Sequence, residues 1–372
     1  MRVALLSFVK NLNYGGSLQE YALEYAVKKY GGKNIFCEYL NYHKNFYKDS
    51  FIWLARKALY CLMRRNDSPS WTIKEFLGIV CSRSGETKSG SAKEFEKFWG
   101  YTDFSQRLNK NGMRKIEDKY DMFIVGSDQV WNCGRLNLDA TYLLDFISDN
   151  AKKGSYASSI GMKKIPEKYK KQYWKYWREF QYLSCREQEG SRLIESLTGR
   201  KVEWVLDPTL LLDKSEWEKI ADCSVLDNEK YILLYMLDKS ERLLEFAERA
   251  SHVKNLKIIK IYSDIQKNNE IGPRQWIGYF LHAECVITNS FHGVAFSVNF
   301  NKDFYVEITQ KPFFTESSSR ITDFLNELGL TGCLIDDSRV VRTDNIEYGQ
   351  VNRKLADLRE KSLGYLLSML GD

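Results

Sequence analysis

Two hydrophobic rhythms alternate along this chain. Short, nearly continuous apolar runs at 2–9, 34–40, 121–127, 154–160, 182–186 and 202–206 read as buried β-strands. Stretches between them, with apolar residues spaced by three and four, predict helices at 17–30, 50–65, 92–99, 166–181 and 188–198. The second half repeats the alternation. "KYILLYML", "LKIIKIYS", "ECVITNS" and "DFYVEI" predict strands; "SERLLEFAERAS", "PRQWIGYFLHA", "HGVAFSVNF" and "SRITDFLNELG" predict the helices that follow them. A last segment, "YGQVNRKLADLREKSLGYLLSML", carries Val351, Leu355, Leu358, Leu363 and Leu366 at helical spacing. Strand and helix in turn imply an α/β fold with parallel sheets. The two series meet at "LDPTLLLDKSEW", where Pro208 follows a strand and a helix starts near Ser215. The expected architecture is therefore two Rossmann-like domains, 1–212 and 213–372, with a central interdomain cleft. Ligands are expected beyond the carboxyl ends of the strands. Residues 66–91 fit neither rhythm and read as a mobile insertion.

Composition narrows the function. The excess of 55 basic over 49 acidic residues gives a net charge of +6, which suits anionic small molecules. It falls short of the dense basic footprint of a nucleic-acid binder. Aromatics reach 14%, including 23 Tyr and 9 Trp, a stock that serves packing or sugar stacking. The eight cysteines form neither a CxxC nor a zinc pattern, and several lie in apolar runs, as reduced thiols in a cytoplasmic protein do. "MRVALLSFV" turns polar too early for a signal peptide, and no apolar run is long enough to span a bilayer. Between Lys48 and Arg65, five basic residues face one acidic residue, Asp49, with Phe51, Trp53 and Leu54 on an apolar side. Residues 48–65 thus suit either peripheral contact with the inner face of a membrane or a helix that covers a domain.

Five motifs could carry chemistry. In "FVKNLNYGGSLQEYAL", Asn13, Tyr14, Gly15 and Gly16 precede a helix that Ser17 and Glu20 would cap, and the glycines allow an anion close to backbone amides. An ordinary tight turn explains them equally well, and the lysine of a P-loop is absent. "DMFIVGSDQVWN" delivers Ser127, Asp128 and Gln129 to a strand end, where Asp128 could act as base or acceptor. In "SCREQEG", Arg186 could clamp a carboxylate or phosphate, or merely pair with Glu187 at the surface. "CVITNSFHG" sets Asn289, Ser290, His292 and Gly293 between a strand and a helix, so that His292 would face the cleft as an acid. A satisfied structural histidine is the alternative. Lys311 and Arg320 flank a polar loop in "TQKPFFTESSSRITDFL", and either cation could reach the cleft.

Together, "NYGGSLQEYAL", "DMFIVGSDQVWN", "YASSIG", "SCREQEG", "VLDPTLLLD", "CVITNSFHG" and "SRITDFLNELGL" resemble the polysaccharide pyruvyl transferase family, in its order and over most of the chain. Asn289 stands where that family more often has aspartate. The resemblance implies a glycosyltransferase-B-like fold. It also implies transfer of a pyruvyl group from phosphoenolpyruvate to two hydroxyls of a sugar in a cell-surface polysaccharide precursor, as a cyclic ketal. Neither metal nor nucleotide cofactor is expected. The implied roles are His292 as proton donor, Arg186 as anion clamp and Arg320 as a second cation, with Lys311 the next choice. The acceptor glycan could be lipid-linked or free. Competing readings are a nucleotide-sugar-dependent glycosyltransferase and a glycan-binding relative without turnover.

Overall fold

The computed structural model describes residues 1–43, 89–133, 138–148, 152–224, 226, 229–308, 318–336, 340–342 and 344–371. The helix expected at 50–65, most of the insertion at 66–91 and Lys311 lie outside the described residues.

Parallel strands form the frame. β1 (Arg2–Leu6), β2 (Phe36–Tyr39), β3 (Met122–Val125) and β4 (Lys152–Ser155) pair in the order β2-β1-β3-β4. β5 (Ser184–Cys185) and β6 (Glu203–Trp204) form a short parallel pair. Bridges from Gly154 to Tyr182 and from Ser158 to Cys185 join that pair to the β4 side. In the second half, β7 (Tyr231–Met236), β8 (Lys257–Tyr262), β9 (Cys285–Thr288) and β10 (Asp303–Val306) pair in the order β10-β9-β7-β8. β3 and β9 are apolar or β-branched throughout and wholly buried because strands flank both edges and other elements cover both faces. Strand order reverses between β1 and β3 in one sheet and between β7 and β9 in the other. At such switch points the loops diverge and leave a crevice at the carboxyl edge. Two Rossmann-like halves result, and most of the strands are shorter than the apolar runs that predict them.

Leaving single turns aside, the helices among the described residues are α1 (Tyr14–Tyr30), α2 (Gly90–Phe98), α3 (Glu167–Trp177), α4 (Gln188–Thr198), α5 (Lys214–Glu218), α6 (Glu241–Lys254), α7 (Pro273–His282), α8 (Phe291–Asn299), α9 (Ser318–Leu328) and α10 (Tyr348–Leu370). α1 starts earlier than its pattern suggested. Asn13, not Ser17, is the cap, its side chain accepting from the Gly16 amide at 2.9 Å. Ser17 lies inside the helix, its hydroxyl donating to the Asn11 carbonyl at 3.1 Å, and Glu20 is buried instead of closing a capping box.

One hydrophobic core runs through both halves, from Val3 and Leu18 through Leu206–Leu212 to Val286 and Phe296. Tyr14 sits in this seam. It is buried, its ring stacks on Trp276 at 5.9 Å, and its hydroxyl donates to the Ile271 carbonyl at 2.8 Å. α10 begins against the second half, where the Tyr348 hydroxyl donates to the Lys302 carbonyl at 2.5 Å. It ends on the first, where the Tyr365 hydroxyl donates to the Ser155 carbonyl at 3.0 Å. A division at 212/213 therefore does not describe where the last turns of α10 pack. Among the described residues, no helix is long and apolar enough to cross a membrane.

Candidate functional site

The loops at the two switch points, with the turns after β5 and β6, bring together side chains that lie far apart in sequence. Arg186 follows β5 and is almost fully buried. Its Nη1 donates to Asp207 Oδ2 at 2.7 Å and to Ser127 Oγ at 3.2 Å, while Nε is buried without a partner among the described residues. Glu187, the expected partner of Arg186, turns the other way: its Oε1 accepts from the Ser159 hydroxyl and from the amides of Ile160 and Gly161 at 2.8–3.1 Å. The surface ion pair of the alternative reading is thus replaced by a buried one with Asp207.

Asp207 organises the centre. Oδ2 accepts from Arg186 and, at 3.1 Å, from the Ser127 hydroxyl; Oδ1 accepts from the amide and hydroxyl of Thr209 at 3.0 and 2.7 Å. His292 Nε2 stands 3.7 Å from Oδ2, a charge contact longer than a hydrogen bond. Burial alone would push the Asp207 carboxyl up, but His292 and then Arg186 overcome it and hold the carboxyl far below its usual range. A proton on His292 therefore has a counter-charge at hand. The hydrophobic pattern does not single out Asp207, whose neighbour Pro208 reads as punctuation after a strand. The available signal was an Asp-Pro pair directly after a strand, where an aspartate side chain readily bonds the next turn.

His292 occupies the second residue of α8, beyond the carboxyl end of β9, and is 17% exposed. Ser290 caps this helix, its hydroxyl accepting from the Gly293 amide at 3.3 Å. Gly293 lies against Thr288: a Cβ there would come within 2.4 Å of Thr288 Oγ1. Gly15 is the counterpart across the seam. Its Cβ, if present, would fall 2.0 Å from His292 Nδ1, so only glycine lets the first turn of α1 meet the imidazole. Gly16 is set against the Asn11 side chain in the same way, at 2.6 Å.

Arg320, in the first turn of α9, completes the cationic side. Arg186 and Arg320 both approach the Phe291 ring, their guanidinium carbons 5.3 and 5.8 Å from its centroid. Arg320 keeps part of its surface exposed, yet its charged end is deep: burial and then the like charge of Arg186 lower its pKa to about 10. Asp128 lies close enough to act electrostatically on both guanidiniums. It holds a positive φ of 87°, rare and strained for a residue with a side chain. Its Oδ1 accepts from the Gln129 amide at 2.7 Å.

Other sequence candidates lie outside this cluster. Tyr14 belongs to the seam core, and Asn13 is the exposed cap of α1. Gln129 packs against the turn at Gly161. Asn289 pins the loop after β7, accepting from the Leu237 amide at 2.8 Å and donating to the Asp238 carbonyl at 2.9 Å. An aspartate could not make the second of these bonds, which gives a physical reason for the amide here. All described cysteines except Cys223 are buried thiols, and no group of three metal-ligating side chains occurs among the described residues.

The arrangement offers an imidazole, two guanidiniums and two carboxylates around one point at the domain seam. That set can protonate a ligand and hold two negative charges on it. Residues 13–306 match the family model described as polysaccharide pyruvyl transferase. Among curated proteins, none matches. Among solved structures, the chain is similar to UDP-GlcNAc 2-epimerase from Neisseria meningitidis bound to UDP-GlcNAc, with 10% identity, 100% of this chain and 94% of that one covered, and a TM-score of 0.46. For the S. aureus MnaA–UDP structure the values are 11%, 99%, 90% and 0.48. For E. coli heptosyltransferase WaaC with ADP they are 9%, 85%, 90% and 0.35. At these identities and scores the likenesses carry nothing about substrate.

Proposed function

Because the chain belongs to the polysaccharide pyruvyl transferase family, we propose that it moves a pyruvyl group from phosphoenolpyruvate onto two hydroxyls of a sugar in a polysaccharide precursor. The observation that carries this reading is the single cluster in which Asp207 joins Arg186 at 2.7 Å to His292 at 3.7 Å, with Arg320 across the Phe291 ring. Phosphoenolpyruvate presents a phosphate and a carboxylate a few bonds apart, and two converging guanidiniums match that pair of anions.

In this reading His292 protonates the methylene carbon, which makes the neighbouring carbon oxocarbenium-like. One sugar hydroxyl adds there, the bond to the phosphate oxygen breaks, and a second hydroxyl closes the ketal. Arg186 and Arg320 hold the donor's charges throughout. Asp207 fixes Arg186 and faces the imidazole from inside. The chemistry needs neither metal nor nucleotide. Fixed donors aimed at developing charge commonly contribute about 3–4 kcal/mol each to barrier lowering.

The test is phosphate release from phosphoenolpyruvate in the presence of candidate glycans, with mass spectrometry for a pyruvate ketal. His292→Ala should remain folded and lose this release. Wild-type rates in that variant would remove His292 from the mechanism. Thermal stabilisation by UDP- or GDP-sugars, with none by phosphoenolpyruvate, would favour a nucleotide-sugar transferase instead.

A further inference from the structure

Charge is spread unevenly along this chain. Seven of its 55 basic residues and one of its 49 acidic residues fall between Lys163 and Arg178, leaving 48 of each sign elsewhere. The whole net charge of +6 therefore resides in that one stretch. The fold turns it into a surface. α3 locks one face into the core of the first half: Tyr173 and Trp177 are fully buried and stacked at 4.4 Å, and the Tyr173 hydroxyl donates to the Trp131 carbonyl at 2.5 Å. Residues three and four apart share a helix face. Lys168, Lys171, Lys175 and the capping Arg178 thus line up on the opposite side, and all four are exposed. At 1.5 Å per residue the row is about 15 Å long. Lys163 and Lys164, also exposed, extend it ahead of the helix.

The acidic groups beside this row are already engaged. Glu167 pairs with Lys170 at 2.7 Å, and Glu179 with the buried Lys153 at 2.8 Å. Among the described residues, no carboxylate forms an ion pair with Lys163, Lys164, Lys168, Lys171, Lys175 or Arg178. Solvation is the ordinary fate of exposed lysines, but it does not explain the aromatic rings set among these. Trp174 is 43% exposed, and the Arg178 guanidinium lies over its ring at 4.4 Å. Lys168 and Lys175 lie over the half-buried rings of Tyr169 and Tyr176 at 4.7 and 5.1 Å. Tryptophan and tyrosine beside lysine and arginine suit the boundary of a bilayer, where the rings rest at headgroup level and the cations meet phosphates.

We propose that this face of α3 docks the protein on a bilayer that carries anionic lipids. Charge complementarity decides the partner: a convex helix face sets six unpaired cations against a plane, and a membrane rich in acidic headgroups is a plane of the opposite sign. A soluble anionic glycan is bound more readily in a groove than on a convex face. The row also starts close to the candidate site. The Ser159 amide donates to the Asp128 carbonyl at 2.9 Å, and Asn132 Nδ2 to the Gly161 carbonyl at 3.2 Å, two residues before Lys163. Docking by α3 therefore brings the rim that carries Asp128 towards the lipid surface. That a lipid-linked sugar would arrive there rests on the pyruvyl-transfer reading; the docking itself does not.

The test is co-sedimentation of the full chain with vesicles, which needs neither donor nor acceptor and so stands whether or not pyruvyl transfer does. Wild type should sediment with phosphatidylcholine vesicles containing about 30% phosphatidylglycerol and stay in solution with pure phosphatidylcholine. Raising salt from about 0.1 M to about 0.5 M should release it. The triple variant Lys168→Gln, Lys171→Gln, Lys175→Gln should lower the partition coefficient about 100-fold. A control that removes the same charge from exposed lysines elsewhere, Lys201→Gln, Lys230→Gln, Lys239→Gln, should bind as wild type does. Tryptophan emission should shift to the blue on adding the anionic vesicles, and Trp174→Phe should abolish the shift. No sedimentation of wild type, undiminished binding by the α3 variant, or equal losses in both triple variants overturns the proposal. Retention on a soluble polyanion such as polygalacturonate, with none on vesicles, overturns it too and assigns the face to a glycan chain.

Discussion

At the scale of single residues, Asp207 is the strongest determinant of the site. Four donors converge on its two oxygens, and among the described residues the guanidinium has no other carboxylate in hydrogen-bond contact. Asp207→Asn would turn one acceptor into a donor and leave Arg186 charged and buried. Breaking a buried ion pair from one side costs about 3–5 kcal/mol. Urea unfolding of Asp207→Asn should show a loss of that size together with loss of turnover, and a change below about 1 kcal/mol would contradict the buried pair. Glu24 makes a different prediction. Burial raises its pKa to about 7, against the opposing influence of Lys28 and the Asp103 amide. A carboxyl whose folded pKa is raised stabilises the protein below its unfolded value of about 4.3, and the contribution is lost as pH rises through about 7. The urea midpoint should therefore fall across that window, with a shallower fall in Glu24→Gln. Equal slopes would place a neutralising partner on Glu24 that outweighs its burial. None of this was readable from one-dimensional pattern. His292 and Arg186 stand out because a charged group beside an apolar strand end is conspicuous, whereas Arg320, at a helix start beside a polar loop, is singled out by the family resemblance alone. Asp207 looked like an ordinary turn residue, and only folding brings it to Arg186.

At the scale of elements, pattern was a good guide to which segments form strands and a poorer one to where helices begin. β3 and β9 are buried on both faces, so their sequences are uniform and legible. α1 was harder, because Ser17 and Glu20 imitate a capping box while Asn13 supplies the actual cap. The glycines at 15 and 16 fit an anion loop and an ordinary tight turn equally well. In the structure Gly15 is a spacer that admits the His292 ring, and Gly16 makes room for Asn11. Gly15→Ala tests that view at the level of the helix. Alanine favours helix over glycine by about 1 kcal/mol, so α1 itself should not weaken. A Cβ 2.0 Å from His292 Nδ1 must displace the ring or the helix. Misplacement of a reacting group by about an ångström can cost 10²-fold in rate. The expected outcome is therefore a melting temperature close to wild type with kcat reduced about 100-fold, whereas undiminished kcat would show that the ring does not act from this position.

At the scale of the whole molecule, alternating strands and helices revealed two α/β halves, but not how firmly they are joined. A linear pattern marks faces as apolar without saying which faces meet, so the seam through Tyr14, Trp276 and Leu206–Leu212 could not be read from it. The same holds for α10, which a boundary at 212/213 assigns wholly to the second half. Along this helix Lys354 Nζ donates to the Glu327 carbonyl at 3.1 Å, Arg359 Nε to the Leu210 carbonyl at 2.7 Å and the Leu206 amide to Ser362 Oγ at 3.0 Å, so the helix crosses from one half to the other. Leu366 and Met369 are fully buried near its end, with Met369 against Gly154 of the first sheet. A core shared in this way couples the halves, and unfolding should be one transition by every probe. Leu366→Ala should remove about 2–5 kcal/mol from that single transition without splitting it. If the variant instead showed an early loss of the first half while the second kept its own later midpoint, the two would be independent units. The clustered side chains, contributed by both halves, would then rely on ligand binding for their alignment.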